Sequence, residues 1–377
     1  MKILHINSNY FYNEFYENQL DVLDNSVENI IFNPLRQSIK ADSKYKYYNP
    51  IIIKKSDSFF SRSRLKRTFR YLEKNKIINN IDLVHAHTLT NDGLLAYQLF
   101  KKYKIPYVLT IRNTDVNFSF KYKQYMKKNY KNAILYSSLL IFPNFSYKNK
   151  VSKFFKNNKE INEKLEKSIV IPNGINQFWH SNKVENKKIL NSNEINILFV
   201  GRINRYKNLH SILKAIEQLN KKSNIKYSLN VIGKIENKKY YRKLSKKFQF
   251  NYLGVMNKYQ IKEQMKKNDI FAMPSSNETF GLVFIEALSQ SLPIIYTKGE
   301  GIDGYFKDDF IGKAVNSKDN QSIAYAIKNI KDNYEFYQEN IEDKTFLEKF
   351  NWENIGKIYT ELYKKILINN RKKKWNF

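Results

Sequence analysis

The stretch Ser275–Ile295, SSNETFGLVFIEALSQSLPII, sets a polar run against an apolar one, with Phe280-Gly281-Leu282 at the join. The apolar run is long enough for about three helical turns, so a helix is expected to begin there. Free backbone N–H groups at a helix start, with the positive end of its dipole, suit a diphosphate, and Gly281 lets the backbone come close to one. Glu278 precedes the turn and Glu286 lies inside the helix. A carboxylate only accepts hydrogen bonds, and sugar and ribose hydroxyls donate them. The spacing equally suits two solvated charges near a helix start.

The rest of the chain fits this stretch into a repeating pattern. Short apolar runs alternate with longer amphipathic ones, as in parallel sheets covered by helices. One series opens with Ile3-Leu4-His5-Ile6 and continues through Asp82-Leu83-Val84-His85, Pro106-Tyr107-Val108-Leu109 and Leu139-Leu140-Ile141-Phe142, closing near Ile169-Val170-Ile171-Pro172. A second opens with residues 195–200 (INILFV) and repeats at 228–232 (SLNVI), 269–273 (DIFAM) and 293–296 (PIIY). Each series predicts one doubly wound sheet. Residues 181–194 are polar and aperiodic, which predicts a linker, with a hinge there or at Pro172-Asn173-Gly174. Helical spacing predicts a helix over Leu209–Leu219 and another through Trp352, Ile355, Tyr359, Leu362 and Ile366. The expected division is residues 1–175, residues 176–350, and a terminal helix with a basic tail, 351–377, crossing back to the first domain.

A length of 377 residues suits two domains, and 42% hydrophobic content suffices for a core in each. No run of 18 or more apolar residues occurs, and the start, MKILHINSNYFYNEF, has no apolar stretch of signal-peptide length. A cytoplasmic, soluble protein is expected. With no cysteine, disulfides, thiolate metal sites and cysteine nucleophiles are excluded. Lys and Arg number 66 against 35 Asp and Glu, a net charge of +31, which reflects a chain-wide bias to lysine, an anionic partner, or both. Basic and aromatic residues concentrate in Phe118–Lys131 and in the tail Arg371–Phe377. Both suit the inner face of an anionic membrane, where each cation contributes about 1 kcal/mol and aromatic rings favour the headgroup zone. Nucleic acid is the lesser reading, because no recognition signature accompanies the charge.

Four pieces in order resemble glycosyltransferase family 4, retaining enzymes of the GT-B fold, in which two Rossmann-like α/β domains with doubly wound parallel sheets face a central cleft. They are Asp82-Leu83-Val84-His85-Ala86-His87, Pro172-Asn173-Gly174-Ile175, Val200-Gly201-Arg202 with Lys207-Asn208-Leu209, and the two-glutamate stretch. The resemblance implies that Arg202 and Lys207 hold the diphosphate of a UDP- or GDP-sugar, with Gly201, Phe280, Gly281 and Leu282 beside it. It further implies that Glu286 meets the ribose, that Glu278 meets the transferred sugar, and that Tyr252-Leu253-Gly254-Val255 faces the base. Fixed cations beside a helix start would stabilise the departing diphosphate, and domain closure would exclude water.

The first half departs from the family. Asn7-Ser8-Asn9-Tyr10-Phe11 replaces the usual glycine-rich loop, and Thr110-Ile111-Arg112-Asn113-Thr114-Asp115 stands where many members carry a histidine. Arginine is no base at neutral pH. Arg112 is therefore expected to donate to sugar or phosphate, or to form a structural ion pair with Asp115. Asn9, His87 and Asp115 are the remaining candidates for acceptor or sugar contacts. His85 and His87 share a strand face, but no third carboxylate or imidazole follows at usable spacing, and no Asp-x-Asp triplet occurs. No metal or cofactor is expected. The expected activity is retaining transfer of a sugar to a hydroxyl of a lipid-linked or cell-surface glycan. The alternatives are a nucleotide-sugar epimerase and a non-catalytic basic protein that binds nucleic acid or a phosphorylated polymer.

Overall fold

In the computed structural model, residues 1–375 are described apart from 13–14, 41, 59–60, 185–189 and 191–192. Much of the expected linker thus lies outside the described residues, as do Asn376, Phe377 and the side chains of residues 372–375 of the basic tail. The chain forms two compact units, Met1–Pro172 with Trp352–Phe377, and Asn173–Asn351.

The first unit holds a seven-stranded sheet of β1 (Lys2–Ile6), β2 (Glu28–Phe32), β3 (Lys46–Tyr48), β4 (Leu83–Ala86), β5 (Tyr107–Thr110), β6 (Leu139–Phe142) and β7 (Ile169–Val170), in the order β3-β2-β1-β4-β5-β6-β7. Every pairing is parallel. β2 and β3 were not among the expected strands. β3 is exposed at two of its three positions and so shows no apolar run, and β2 sits behind the polar start Glu28-Asn29.

Side chains alternate across β1 with the period of two that strands impose. Leu4 and Ile6 enter one core with Val84, Ala86 and Leu109. Ile3 enters the other with Leu83, Val108 and Ile141, which the helix Trp352–Trp375 covers through Ile355, Tyr359 and Tyr363. Burying one such Leu or Ile contributes about 1.5–3 kcal/mol, enough to hold this distant end of the chain on the first sheet.

The second unit holds six parallel strands, β8 (Glu194–Val200), β9 (Lys226–Ile232), β10 (Asn251–Tyr252), β11 (Ile270–Ala272), β12 (Ile294–Thr297) and β13 (Gly312–Val315), in the order β10-β9-β8-β11-β12-β13. The expected helix on this sheet spans Leu209–Lys222 and buries Leu209, Ile212, Leu213 and Ile216. In both sheets the chain winds outward in opposite directions from a central pair, β1/β4 in one and β8/β11 in the other. A crevice opens at the carboxyl ends of such a pair, and ligands of open parallel sheets bind there. No helix among the described residues is long and apolar enough to cross a membrane.

Candidate active site

The carboxyl end of β8 runs into Gly201 and Arg202, and that of β11 into the loop carrying Glu278, so the switch point of the second sheet collects both. Gly201 donates its N–H to the Ile232 carbonyl at 2.9 Å, which binds the β8 and β9 ends together. The Asn204 side chain caps the short turn Arg205–Lys207 by accepting the Lys207 N–H at 3.0 Å. Asn208 donates from its amide to the Pro274 carbonyl at 2.9 Å, fixing that turn to the loop after β11.

So positioned, Lys207 Nζ reaches Glu278 Oε2 at 2.5 Å, with both side chains mostly covered. Arg202 is not part of that pair. Its guanidinium is 66% exposed and donates to Glu236 Oε1 at 2.8 Å, while the Asn204 amide donates to Oε2 at 2.7 Å. The Asn204 and Arg202 bonds hold the Glu236 carboxyl below its ordinary range.

The helix that follows is Leu282–Ser289, about two turns and not the three expected. Ser291 turns left-handed at φ 60°, and Leu292, directly before Pro293, is kept from helical backbone by the proline ring, so the apolar run continues as a turn and then as β12. Gly281 caps the helix at φ 79°, and a Cβ there would lie 2.5 Å from the Phe284 ring. In this first turn the Phe284 N–H donates to the Gly281 carbonyl at 2.9 Å, while the N–H groups of Leu282 and Val283 precede any intrahelical acceptor. Phe280 is buried against Tyr305 and Phe350. Of the donor contacts expected for it, only backbone contacts remain open. Leu282 is half-buried.

Glu286 lies one turn into the helix, where burial pushes its carboxyl up to about 7 against a hydrogen bond from Trp179. The Gly254 carbonyl accepts the Gly233 N–H at 2.8 Å, and Val255 beside it is 71% exposed. One participant escaped sequence reading: the loop Lys298–Gly304 brings Glu300 Oε2 within 3.3 Å of the Glu278 N–H. In the same loop a Cβ on Gly301 would meet Glu278 Cγ and the Phe280 carbonyl at 2.8 Å each. The glycine spacing Gly299, Gly301, Gly304 was the available signal.

In the first unit the switch point gathers the loops after β1, β4 and β5. Asn9 is half-buried and donates its N–H to Asn7 Oδ1 at 3.0 Å. Asp115 is fully buried and accepts the N–H groups of Leu89, Thr90 and Arg112 at 2.9–3.0 Å, tying these loops together. The link expected between Arg112 and Asp115 therefore runs through the arginine's backbone. The Arg112 guanidinium lies over Phe15 and Tyr16, 4.9 and 5.1 Å from their ring centres, and its Nε is buried without an acceptor among the described residues.

The strand register corrects one expectation directly. A third imidazole does accompany His85 and His87: His5, the partner of His85 across β1 and β4. One ligand atom from each ring lies within 4.8 Å of the others. Spacing along the chain could not show this, because the third ring comes from another strand. Burial pushes His5 down to about 4 and His85 and His87 well below their ordinary value, so all three rings are neutral. His5 Nε2 donates to Asn29 Oδ1 at 2.9 Å; its Nδ1 must then accept, and His87 Nε2 donates to it at 3.1 Å. His87 Nδ1 is left as a buried lone pair with no donor among the described residues, beneath the edge of Tyr16. His85 bonds Thr110 Oγ1 and the Tyr363 hydroxyl at 2.9 and 2.6 Å.

Residues 40–177 match the family described as Glycosyltransferase Family 4, and residues 181–345 match Glycosyl transferases group 1. An uncharacterized glycosyltransferase of Methanocaldococcus jannaschii is 29% identical over 297 residues, 75% of this chain and 76% of that protein. The alpha-monoglucosyldiacylglycerol synthase of Acholeplasma laidlawii is 27% identical over 263 residues, 65% of this chain and 64% of that protein. Among solved structures, sucrose-phosphate synthase from Thermosynechococcus elongatus superposes with a TM-score of 0.70 at 16% identity, covering 98% of this chain and all of that one. Anabaena HepE in complex with UDP and glucose gives 0.66 at 14%, over 97% of this chain and all of that one. With two doubly wound sheets, adjoining matches to two glycosyltransferase families and GT-B structures as neighbours along its length, the chain is a GT-B glycosyltransferase of the family 4 type.

Proposed function

We propose that this glycosyltransferase takes its sugar from a nucleotide-diphosphate donor bound at the switch point of the second sheet, and delivers it to a hydroxyl with retention of anomeric configuration. The observation that carries the reading is the Lys207–Glu278 pair set before the open first turn of Leu282–Ser289. A cation, a carboxylate and a row of N–H groups there match what a sugar diphosphate presents: anionic oxygens for Lys207 and the helix start, and sugar hydroxyls for Glu278. The UDP held by Anabaena HepE supports the same donor class.

In the reaction the bond from the anomeric carbon to the diphosphate oxygen breaks, and the acceptor oxygen bonds to the same face of that carbon. The acceptor proton passes to the departing diphosphate oxygen. Lys207, Arg202 and the helix N–H groups stabilise the charge that develops on that oxygen, the contribution expected to dominate such a step. Ionised Glu286 accepts from the ribose hydroxyls, and no metal enters this account. Lys207→Ala should cut nucleotide release from the donor sugar by about a hundredfold or more, in line with loss of one transition-state charge contact. Unchanged release from the folded variant would overturn the assignment.

A lipid-linked acceptor at an anionic membrane surface is favoured by one surface of the first unit. Phe118, Tyr122 and Tyr125 are 54–60% exposed, while Phe120, Met126 and Tyr130 between and after them are buried. Lys121 lies against the Tyr122 ring, so cations and rings share one face, as interfacial segments do. Sedimentation with vesicles tests it: retention by anionic but not neutral vesicles is expected, and equal binding to both would remove the argument.

A further inference from the structure

A second recess in the first unit has no role in donor binding. It lies at the carboxyl ends of β1 and β4, the switch point of that sheet, and is a narrow, open-mouthed recess whose inner part has room for about one water molecule. Ser8 and Asp92 line its floor and Arg64, from the helix Ser61–Lys74, its wall.

These three side chains form a directed chain. Asp92 is buried and accepts from the hydroxyls of Thr88 at 2.9 Å and Ser8 at 2.6 Å. Ser8 Oγ, having given its hydrogen to Asp92, accepts from Arg64 Nη2 at 3.1 Å. That bond is the sole one found for the five N–H donors of Arg64 among the described residues, although the side chain is half-buried. The like charges of Arg36, Arg67 and Lys123 act on Arg64, and so do the carboxylates of Asp92 and Asp57, the second paired with Arg67. Asp92 is the carboxylate in the lining of the recess, and burial pushes it up to about 6. A planar guanidinium on the wall of a recess, with one hydrogen bond found for its five donors among the described residues, suits a phosphate or carboxylate bound in bidentate fashion.

We propose that this recess binds the anionic substituent of the sugar acceptor, so that the enzyme glycosylates a phosphorylated or uronic acid-type sugar and not a neutral one. Arg64 makes the contact; Ser8 and Asp92 are positioning residues that fix its orientation. The proposal rests on the transferase reading of the second unit and adds the charge class of what the first unit accepts.

The test is a titration of the whole chain, followed by thermal shift and calorimetry, with glucose 6-phosphate, glucuronate and glucose, each with and without UDP. Saturable binding of at least one anionic sugar, with glucose at least tenfold weaker, is expected. Arg64→Gln should abolish that preference while its melting temperature and UDP affinity stay at wild-type values, and Arg64→Lys should restore part of it. Equal binding of glucose and the anions, no binding of either anion, or an intact preference in Arg64→Gln would overturn the proposal. UDP affinity separates the two failures: a chain that binds UDP but shows no anion preference refutes this inference alone, and one that binds no UDP refutes the donor reading beneath it.

Discussion

At the scale of single residues, the two cations proposed to hold the diphosphate differ in what they hold up. Lys207 and Glu278 are both mostly covered, so removing one leaves the other as a charge with little water to solvate it. Lys207→Ala should therefore lower the melting temperature as well as turnover. Arg202 is two-thirds exposed and paired with Glu236. A surface pair of that kind contributes about 0–1 kcal/mol, so Arg202→Ala should slow turnover by an order of magnitude or more with a melting temperature within a degree or two of wild type. Paired melts and assays of the two variants check this.

Glu286 carries the pH dependence at the same scale. Its folded value of about 7 lies above the ordinary 4.5, so the folded chain holds a proton that the unfolded chain has lost. The ligand-free protein accordingly loses stability from this group as pH rises from about 4.5 to about 7. A ribose hydroxyl is best accepted by the ionised form. UDP affinity should rise over the same approach to pH 7, by up to about tenfold per pH unit, and Glu286→Gln should flatten that rise in calorimetric titrations.

At the scale of elements, the buried imidazoles of β1 and β4 make the first sheet acid-sensitive. His5, His85 and His87 are held below the ordinary 6.5; below that pH the unfolded chain binds protons that the folded chain refuses. Stability should fall as pH drops from about 6.5 toward 4, by up to about 1.4 kcal/mol per pH unit per ring. Urea unfolding of the first unit should show a shallower acid slope in His87→Asn. Tyr363→Phe removes the hydroxyl that bonds His85 Nδ1 and should cost about 1–3 kcal/mol as that buried nitrogen loses its partner.

The same elements show what a single sequence discloses. The strands Ile195–Val200 and Ile3–Ile6 and the helix at Leu209 announce themselves through runs and spacing that survive in the folded chain. β3 and β10 do not, being three and two residues long and largely exposed, and β13 opens on a glycine. Their existence depends on the strand beside them. Lys207 drew notice through the family resemblance and Glu278 through the polar-to-apolar join before Gly281; that the two side chains meet is a property of the folded chain. Glu300 and Glu236 were not, since their roles come from loops that meet only when β12 and β9 take their places. His5 escaped for the same reason, because register across two strands set 80 residues apart is a property of the sheet.

At the scale of the whole molecule, the net charge of +31 is resolved into places with different work. Ion pairs such as Lys131–Glu160 and Lys221–Glu217 cancel and add nothing to that excess; part of it lies beside exposed rings at residues 118–125 and part near Arg64. Two units built on the same winding rule each open a crevice where the winding reverses. The second fills its crevice with groups suited to a nucleotide diphosphate, and the first with groups suited to an acidic sugar.

The central claim is that Lys207, Glu278 and the helix Leu282–Ser289 bind and activate a nucleotide-diphosphate sugar. Incubation with a panel of UDP- and GDP-sugars, with nucleotide release followed over time, tests it most directly. The account predicts release from at least one donor, saturable with donor concentration, and lost by about a hundredfold or more in Lys207→Ala with its fold intact. No binding or release with any donor, or equal rates in the wild-type and variant chains, would contradict it.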